Sequence, residues 1–304
     1  MAEKWSIADM PDLSGRVAVV TGANAGIGFE VSRELVKAGA TVVFACRSER
    51  RGRAAIEVVR SENPAARADL ISLDLASLAS VRRFAETFKA RHGRLDLLIA
   101  NAGVMLVSCD TTEDGFERHF GVNHLGHFAL TGRLIDRLVA TGGARIVAVS
   151  SAAHGIGRID FDDLTYERGR RYSALRAYAD SKLAGLLFTY ELQRRLTGSS
   201  TIAVAAHPGG AATNLGRRMS DRRWYRAVLP VLERLSQSAA EAARPILRAA
   251  TDPDAVGGEF FGPSGLLGMR GHPIVVKTAR RSYDAHEAER LWEISEELTG
   301  VQFP

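Results

Sequence analysis

The chain has 304 residues, of which 46% are hydrophobic and 25% are charged, and its formal net charge is +5. This is the composition of a globular protein that can bury its own core, which excludes a disordered or fibrous chain. Its two cysteines exclude a disulfide-rich scaffold, and no apolar run reaches the roughly eighteen residues of a membrane span. We therefore expect a cytoplasmic protein that has no membrane segment.

The positions of the charged residues and histidines bear on partners, targeting and metal binding. The basic residues are scattered, and their densest groups, at 47–53 and 217–226, are not interleaved with stacking aromatics, so nucleic acid is not an expected partner. Residues 1–15 include acidic side chains and lack an apolar stretch, so no signal peptide is predicted. Histidines at 124, 127, 154 and 207 lack paired ligand spacing, so no metal site is predicted.

The first two thirds of the chain alternate between β-branched runs and segments of helical period. Strands that alternate with helices predict a doubly wound parallel α/β sheet with helices on both faces, and the strands are continuous apolar runs, as burial on both faces requires. The predicted strands are 16–21, 41–46, 68–74, 95–101, 145–150 and 201–207, and predicted helices include 28–38, 77–92, 112–139 and 173–196.

The alternation ends after His207. Residues 208–236 are irregular and rich in arginine, and they are followed by a predicted helix at 238–250, a strand at 259–261 and an amphipathic helix at 283–298. We expect one domain over residues 1–304, with a core at about 14–262, a small lid insertion at about 210–236 over the substrate and a tail at 263–304.

The first predicted strand runs directly into a glycine-rich turn. In VAVVTGANAGIGFEV, Gly22, Gly26 and Gly28 lie between that strand and the first helix, together with Asn24 and Ile27. A pyrophosphate must approach the backbone closely at a helix N-terminus, and side chains at the glycine positions would block it. The strand before and the helix after meet the context that this motif needs, so the turn predicts a nucleotide site.

A second motif lies in the predicted helix at 173–196, where AYADSK places Tyr178 and Lys182 one turn apart. A free phenol has a pKa near 10 and is a poor proton carrier at neutral pH. Proton transfer near pH 7 requires that pKa to fall by about three units, about 4 kcal/mol, and a neighbouring ammonium could contribute to this fall. In isolation, a half-buried Tyr beside a solvated Lys remains the alternative.

Together with motifs at the later strand ends, these two features resemble the short-chain dehydrogenase/reductase family over residues 14–215. Ala100 stands where the family has an additional Asn. Within the family, ACRSERRG, VNHLGHF and VSSAAH are most similar to the retinol dehydrogenase and WW-domain oxidoreductase branch. The later motifs contain Asp74 and Leu75 (LDLAS), Asn101, Ala102 and Gly103 (LIANAGV), Asn123 (VNHLGHF), Ser150 and Ser151 (VSSAAH), and Pro208, Gly209 and Thr213 (HPGGAAT).

The resemblance implies a Rossmann-type fold and a role for each motif residue. Tyr178 is the implied proton carrier, and Lys182 is expected to lower its pKa together with the positive nicotinamide of the oxidised cofactor. Lys182 also holds the nicotinamide ribose, and Ser151 binds the substrate oxygen, with Ser150 as its competitor. Asn123 is expected to hold a water in a relay to Lys182. The remaining motif residues are implied to contact the cofactor, with Asp74 at the adenine and Thr213 at the nicotinamide carboxamide. Tyr172 lacks a Lys four residues on and is not the expected proton carrier.

The end of the second strand predicts which dinucleotide binds. NAD-selective folds place an acidic residue there, against the ribose 2′-OH, whereas an Arg accommodates a 2′-phosphate. In VVFACRSER, Cys46 stands in the place of the acid and Arg47 follows it, with Asn24 and Arg51 as further candidate contacts. The sequence therefore predicts NADP(H), although Arg47 as an ordinary loop charge is the alternative.

We therefore expect an NADP(H)-dependent carbonyl reductase or alcohol dehydrogenase acting on a lipophilic ketone or aldehyde. Membrane-bound members of the retinol dehydrogenase branch carry an N-terminal anchor that this sequence lacks, so a retinoid substrate is not expected. The alternative is a non-catalytic NADP(H)-binding sensor, which needs no proton donor. The resemblance also implies a homodimer or homotetramer formed through the long helices at 112–139 and 173–196.

Overall fold

The computed structural model describes residues 4–166, 168–210, 237–265 and 268–303. Its centre is one eight-stranded sheet with the order β3-β2-β1-β4-β5-β6-β7-β8, parallel except for the antiparallel pairing of β8 with β7. None of the described helices is both long and apolar enough to cross a membrane. The strands are β1 (Val17–Thr21), β2 (Thr41–Cys46), β3 (Ala68–Ser72), β4 (Leu97–Ala100), β5 (Arg145–Val149), β6 (Ile202–Ala206), β7 (Phe260–Pro263) and β8 (Pro273–Val275).

Helices cover both faces of the sheet, and one hydrophobic cluster lies on each side of it. This arrangement confirms the predicted doubly wound α/β fold. The fourth helix contains a π-helical turn, Gly121–Leu125, between a first turn, Arg118–Phe120, and a regular α-helix, Gly126–Thr141. The helices are α1 (Gly26–Lys37), α2 (Glu49–Glu62), α3 (Leu78–Arg91), α4 (the three segments just given), α5 (Ala174–Arg195), α6 (Ala239–Thr251) and α7 (Ala285–Thr299).

The bounds of one predicted helix were wrong. The helix expected at 112–139 begins only at Arg118, because residues 112–116 form a turn in which the Thr112 N–H bonds the Phe116 carbonyl. Glu117 then accepts from the Phe120 N–H at 2.8 Å and caps the helix. Strand β8 follows a Gly/Pro-rich stretch and was not predicted.

The strand order places the cleft of the molecule. Along the sheet, the connections reverse direction between β1 and β4, so the loops after these two strands diverge and leave a crevice at their carboxyl ends. Helix α5 crosses behind β5 and β6 and faces the same crevice through its first turns. The predicted lid, 210–236, lies outside the described residues apart from Gly210.

Helix α7 covers the outer face of α4 and α5. Its Trp292 is 2% exposed and packs against Phe128 of α4 at 5.2 Å and Phe188 of α5 at 5.7 Å between ring centroids. Ser295 of α7 lies 2.8 Å from Nε2 of His124 in α4. This part of the surface of α4 and α5 is therefore covered by the same chain, and the homodimer or homotetramer expected through the two long helices remains a prediction.

Candidate active site

A cleft of about 700 Å³ opens at the carboxyl ends of β1, β4, β5 and β6. Of the sequence-predicted site residues that the structure describes, all but Arg51 and Asn123 line it, and Thr213 lies outside the described residues. The predicted residues that the structure brings together here are Gly22, Asn24, Gly26, Ile27, Gly28, Arg47, Asp74, Leu75, Asn101, Ala102, Gly103, Ser150, Ser151, Tyr178, Lys182, Pro208 and Gly209.

The glycine turn has the geometry that a phosphate group needs. Gly22 and Gly26 have φ angles of +69° and +56°, a conformation that side-chain-bearing residues rarely adopt. A Cβ at Gly28 would lie 2.5 Å from the Gly22 carbonyl oxygen, whereas a Cβ at Gly26 would meet nothing within 4 Å. The N-cap residue of α1, Ala25, provides no side-chain cap, so the N–H groups of the first turn can donate hydrogen bonds to an anion.

The end of β4 is tied to the end of β1. The N–H groups of Asn101 and Ala102 both donate to Oγ1 of Thr21 at 2.9 Å, and the Asn101 amide donates to the Thr21 carbonyl at 2.9 Å. Nε2 of His127 in α4 lies 3.0 Å from the same Thr21 hydroxyl. These contacts, which involve only groups of the protein, fix the ends of β1 and β4 relative to each other.

The end of β2 carries a neutral thiol and an exposed cation. Burial raises the pKa of the Cys46 thiol to about 12, so no negative charge stands in the place of the acid of NAD-selective folds. Arg47 is 72% exposed, and its Nη1 lies 3.9 Å from Oδ2 of Asp74 across the cleft wall. Its guanidinium is free to reach a phosphate, whereas Arg51 lies outside the cleft lining formed by the described residues.

Ser151, Tyr178 and Lys182 meet at the other end of the cleft. Ser151 follows β5 and begins a short 3₁₀ turn, Ala152–Ile156, and its hydroxyl hydrogen-bonds Tyr178. Nζ of Lys182 donates to the Val149 carbonyl at 2.8 Å and lies 5.8 Å from the centroid of the Tyr178 ring. The i, i+4 spacing on α5 thus places the phenol and the ammonium side by side.

Without a cofactor charge, the Tyr178 pKa is raised, so the lowering expected from Lys182 together with a positive nicotinamide remains a prediction for the cofactor-bound state. Burial raises the pKa of Tyr178, and the hydrogen bond from Ser151 opposes that rise only in part. Burial also lowers the pKa of Lys182 to about 8, while its ammonium is directed to the Val149 carbonyl. At neutral pH the pair therefore consists of a protonated phenol and a largely protonated amine.

The two serines after β5 have different partners. The Ser150 hydroxyl donates to the Lys182 carbonyl at 3.1 Å, and its residue is 4% exposed, so it links β5 to α5. Ser151 is half-buried, and its hydroxyl accepts from the Ala153 N–H at 3.2 Å beside Tyr178. Of the two, Ser151 has the geometry to reach a substrate oxygen.

Asn123 lies behind the cleft rather than in its lining. It belongs to the π-helical turn of α4, and its amide bonds the Val104 carbonyl and the Ser181 hydroxyl. Together with Lys182 it borders a small cavity of about 20 Å³, the volume that one water molecule needs. This position is compatible with the predicted relay to Lys182.

Sequence reasoning missed several residues at this site. Met105 and Met269 line the cleft, and Glu117 and His119 lie buried next to Tyr178. The available signal was the clustering of charged residues in DGFERHFGVNH, at the start of an otherwise apolar helix. Among the described residues, no group of three or more His, Cys, Asp or Glu side chains could hold a metal ion.

Comparisons with known proteins agree with this geometry. A family model described as short chain dehydrogenase matches residues 16–163. Retinol dehydrogenase 12 of Mus musculus is 41% identical over 96% of this chain and 88% of its own length, and retinol dehydrogenase 13 of Homo sapiens is 42% identical over 96% and 87%. The crystal structure of an uncharacterised protein from Mycobacterium paratuberculosis superposes with a TM-score of 0.82 at 44% identity, covering 99% of this chain and 100% of that one.

Proposed function

Because the chain belongs to the short-chain dehydrogenase/reductase family of oxidoreductases, with retinol dehydrogenases as relatives, we propose that it is an NADP(H)-dependent enzyme. It interconverts a lipophilic aldehyde or ketone and the corresponding alcohol. The observation that carries this proposal is the meeting of Ser151, Tyr178 and Lys182 in one cleft with the glycine turn. The cytoplasmic location expected from the composition remains a prediction.

The cleft residues fit a dinucleotide. The glycine turn and the open N-terminus of α1 suit its pyrophosphate, and the exposed guanidinium of Arg47, which pairs with Asp74 at 3.9 Å, suits a 2′-phosphate. Asp74, Leu75 and Lys182 line the cleft, where Asp74 and Leu75 would hold the adenine and Lys182 the nicotinamide ribose. When bound, the cofactor supplies or accepts the hydride.

The protein's own groups handle the oxygen and the proton. In the direction of reduction, the Ser151 hydroxyl hydrogen-bonds the substrate carbonyl oxygen and stabilises the charge that develops on it. Tyr178 is a protonated phenol at neutral pH, because burial raises its pKa, and it donates that proton to the same oxygen. The carbonyl thus gains one hydride and one proton and becomes an alcohol, and the Lys182 ammonium stabilises the phenolate that remains.

The lining supports an apolar substrate. Val104, Met105 and Met269 are among the residues that line the cleft. A thioether is unbranched and polarizable, so two methionines can adapt to an extended hydrocarbon chain. We therefore propose aldehydes or ketones with a long or bulky apolar group, the class to which the names of the retinol dehydrogenase relatives also point.

The test is turnover against a panel of aldehydes and ketones of increasing chain length, with NADPH or NADH, followed by absorbance at 340 nm. We expect consumption of NADPH that rises with the apolar size of the substrate. Tyr178→Phe should lose at least about 100-fold in kcat, since it removes the proton donor. Tyr190→Phe is the matched control on the same helix, because its hydroxyl bonds Thr278, away from the cleft.

Binding of NADPH without consumption across the whole panel would contradict the enzyme proposal and favour a sensor. Equal activity in Tyr178→Phe and wild type would contradict the assigned proton donor.

A further inference from the structure

A short segment between β4 and α4 is held at both ends by side chains. At Val104, the N–H donates to Oδ1 of Asn123 at 2.8 Å and the carbonyl accepts from the Asn123 amide at 3.0 Å. At Val107, the N–H donates to Nε2 of His119 at 3.4 Å and the carbonyl accepts from the Tyr172 hydroxyl at 3.0 Å. Both main-chain polar groups of each residue are thus bonded, and the two residues between them are fixed.

The fixed segment has a strained backbone and forms part of the cleft wall. Leu106 has a φ angle of +53°, which a leucine rarely adopts and which persists only where surrounding contacts hold it. The preceding residue, Met105, lines the cleft. The clamp at Val107 therefore determines where the side chain of Met105 stands.

His119 and Glu117 form a buried pair beneath this segment. They are 0% and 2% exposed, and Nδ1 of His119 lies 2.7 Å from Oε1 of Glu117. The carboxylate also accepts from the Phe120 N–H at 2.8 Å and lies 3.3 Å from the Tyr172 hydroxyl. Because Glu117 can only accept and the Val107 N–H can only donate, the proton of the imidazole is on Nδ1 and Nε2 is an acceptor.

The same imidazole contacts the Tyr178 ring. The ring centroids lie 6.2 Å apart at an interplanar angle of 65°, the edge-to-face arrangement that aromatic pairs prefer. His119 therefore touches the phenol on one side and holds Val107 on the other. Its orientation is in turn fixed by Glu117, which satisfies its N–H.

We propose that His119 is a positioning residue that sets the Tyr178 ring and the 104–107 segment relative to each other, with Glu117 fixing its tautomer and Tyr172 completing the clamp. This inference rests on the proposed function, because its consequence is the alignment of the substrate with the phenol. Misplacement of reacting groups by about 1 Å can cost 100-fold in rate, so the effect falls on kcat.

Two substitutions separate the two hydrogen bonds of His119. His119→Gln places an acceptor near the Nε2 position and can retain the bond to Val107, whereas His119→Asn can retain only the donor to Glu117. We expect His119→Leu and His119→Asn to lose about 30- to 100-fold in kcat with an unchanged Kd for NADPH. His119→Gln should recover most of that loss. His124→Leu is the control for burial, since His124 is 2% exposed on the same helix and bonds Ser295.

A second measurement does not depend on turnover. Cys109 is exposed two residues beyond Val107, and the other cysteine, Cys46, is buried with its pKa raised to about 12, so a fluorescent maleimide labels Cys109 selectively. We expect the anisotropy of that label to fall in His119→Leu and His119→Asn, because the segment is released. It should remain near the wild-type value in His119→Gln and His124→Leu.

The outcomes distinguish this inference from the proposed function. A wild-type protein that turns over no carbonyl compound overturns the proposed function, while the anisotropy still decides whether His119 orders the segment. Rescue by His119→Asn instead of His119→Gln, or equal anisotropy in wild type and His119→Leu, overturns the positioning role. A parallel loss of kcat, NADPH affinity and folding stability in His119→Leu would likewise overturn it, because that pattern indicates a purely structural contact.

Discussion

At the scale of single residues, Arg47 is the side chain that would select between the two dinucleotides. Its side chain is 72% exposed and lies 3.9 Å from Asp74, and the neutral Cys46 thiol before it adds no negative charge that would repel a phosphate. We predict that Arg47→Asp weakens NADPH binding by about 10- to 100-fold, since it removes a charge-assisted bond and adds repulsion. NADH, which has no 2′-phosphate, should change by less than about threefold. Fluorescence titration measures both constants.

The matched control for that prediction is Arg53→Asp. Arg53 is 71% exposed and pairs with Glu49 of α2. The substitution therefore makes the same change of charge at nearly equal exposure, at a residue that does not line the cleft. A comparable loss of NADPH binding in both variants, or an equal loss of NADPH and NADH in Arg47→Asp, would rule out a specific 2′-phosphate contact.

The lowered pKa of Lys182 implies that the stability of the free protein depends on pH. Its pKa is about 8 in the fold against 10.5 in a model compound, so its charge costs folding free energy below pH 8 and this cost is relieved as pH rises from 8 to 10.5. The relief amounts to about 3 kcal/mol. Urea unfolding between pH 7.5 and 10 should therefore show wild type gaining stability relative to Lys182→Met. A constant difference over that range would mean that the ammonium is solvated.

At the scale of elements, the strand–turn–helix unit at β1 and α1 depends on the absence of one side chain. A Cβ at Gly28 would lie 2.5 Å from the Gly22 carbonyl oxygen, so Gly28→Ala must displace the turn. We predict that it abolishes measurable NADPH binding and lowers stability by about 1–3 kcal/mol. Gly185→Ala in α5 meets nothing within 4 Å and should instead raise stability by about 0.5–1 kcal/mol.

Thermal unfolding and cofactor titration of the two alanine variants provide the measurement. Normal NADPH affinity in Gly28→Ala would show that the turn tolerates the methyl group, and a destabilised Gly185→Ala would show that the site in α5 is already full.

The elements that could be predicted are those whose signal is local. The strand at 17–21 is a continuous apolar run followed by glycines, and Tyr178 and Lys182 are related by helical spacing alone. The start of α4 could not be predicted, because it depends on a distant helix: Asp114 in the preceding turn accepts from the Leu78 N–H of α3 at 2.8 Å. That contact and the cap by Glu117 end the turn and begin the helix.

The site could be predicted in its composition but not in its electrostatics. Motif order brings Ser151 and Tyr178 to adjacent strand and helix ends, which the fold class implies. The pKa of Tyr178 depends on how deeply α5 is buried, and burial arises from packing between distant segments, so the rise in the free protein could not be predicted from sequence spacing. The same holds for His119, whose role depends on a loop that reaches back to it.

At the scale of the whole molecule, α7 completes the core by packing on α4 and α5. Trp292 contacts Phe128, Phe188 and Phe303, at 4.5 Å between ring centroids for the last pair, and is 2% exposed. We predict that Trp292→Ala lowers the free energy of unfolding by about 3–5 kcal/mol, because it opens a cavity between α4, α5 and α7. Equilibrium urea unfolding measures the loss.

Tyr283→Ala is the control for that prediction, since Tyr283 precedes α7 and is 53% exposed, and we expect it to cost less than about 1 kcal/mol. We also expect Trp292→Ala to increase self-association in analytical ultracentrifugation, because the apolar face of α4 and α5 becomes accessible. A stable variant with unchanged sedimentation would indicate that α7 is not needed to cover this face.

The position of α7 in the chain also bears on how the protein is made. Helix α5, which carries Tyr178 and Lys182, ends at Arg195, while the helix that packs on its back begins only at Ala285. During translation, α4 and α5 therefore leave the ribosome long before their aromatic partners in α7 are synthesised. The apolar surface that α7 later covers is exposed to solvent during that time. We expect nascent chains arrested before Ala285 to bind chaperones more strongly than full-length chains do.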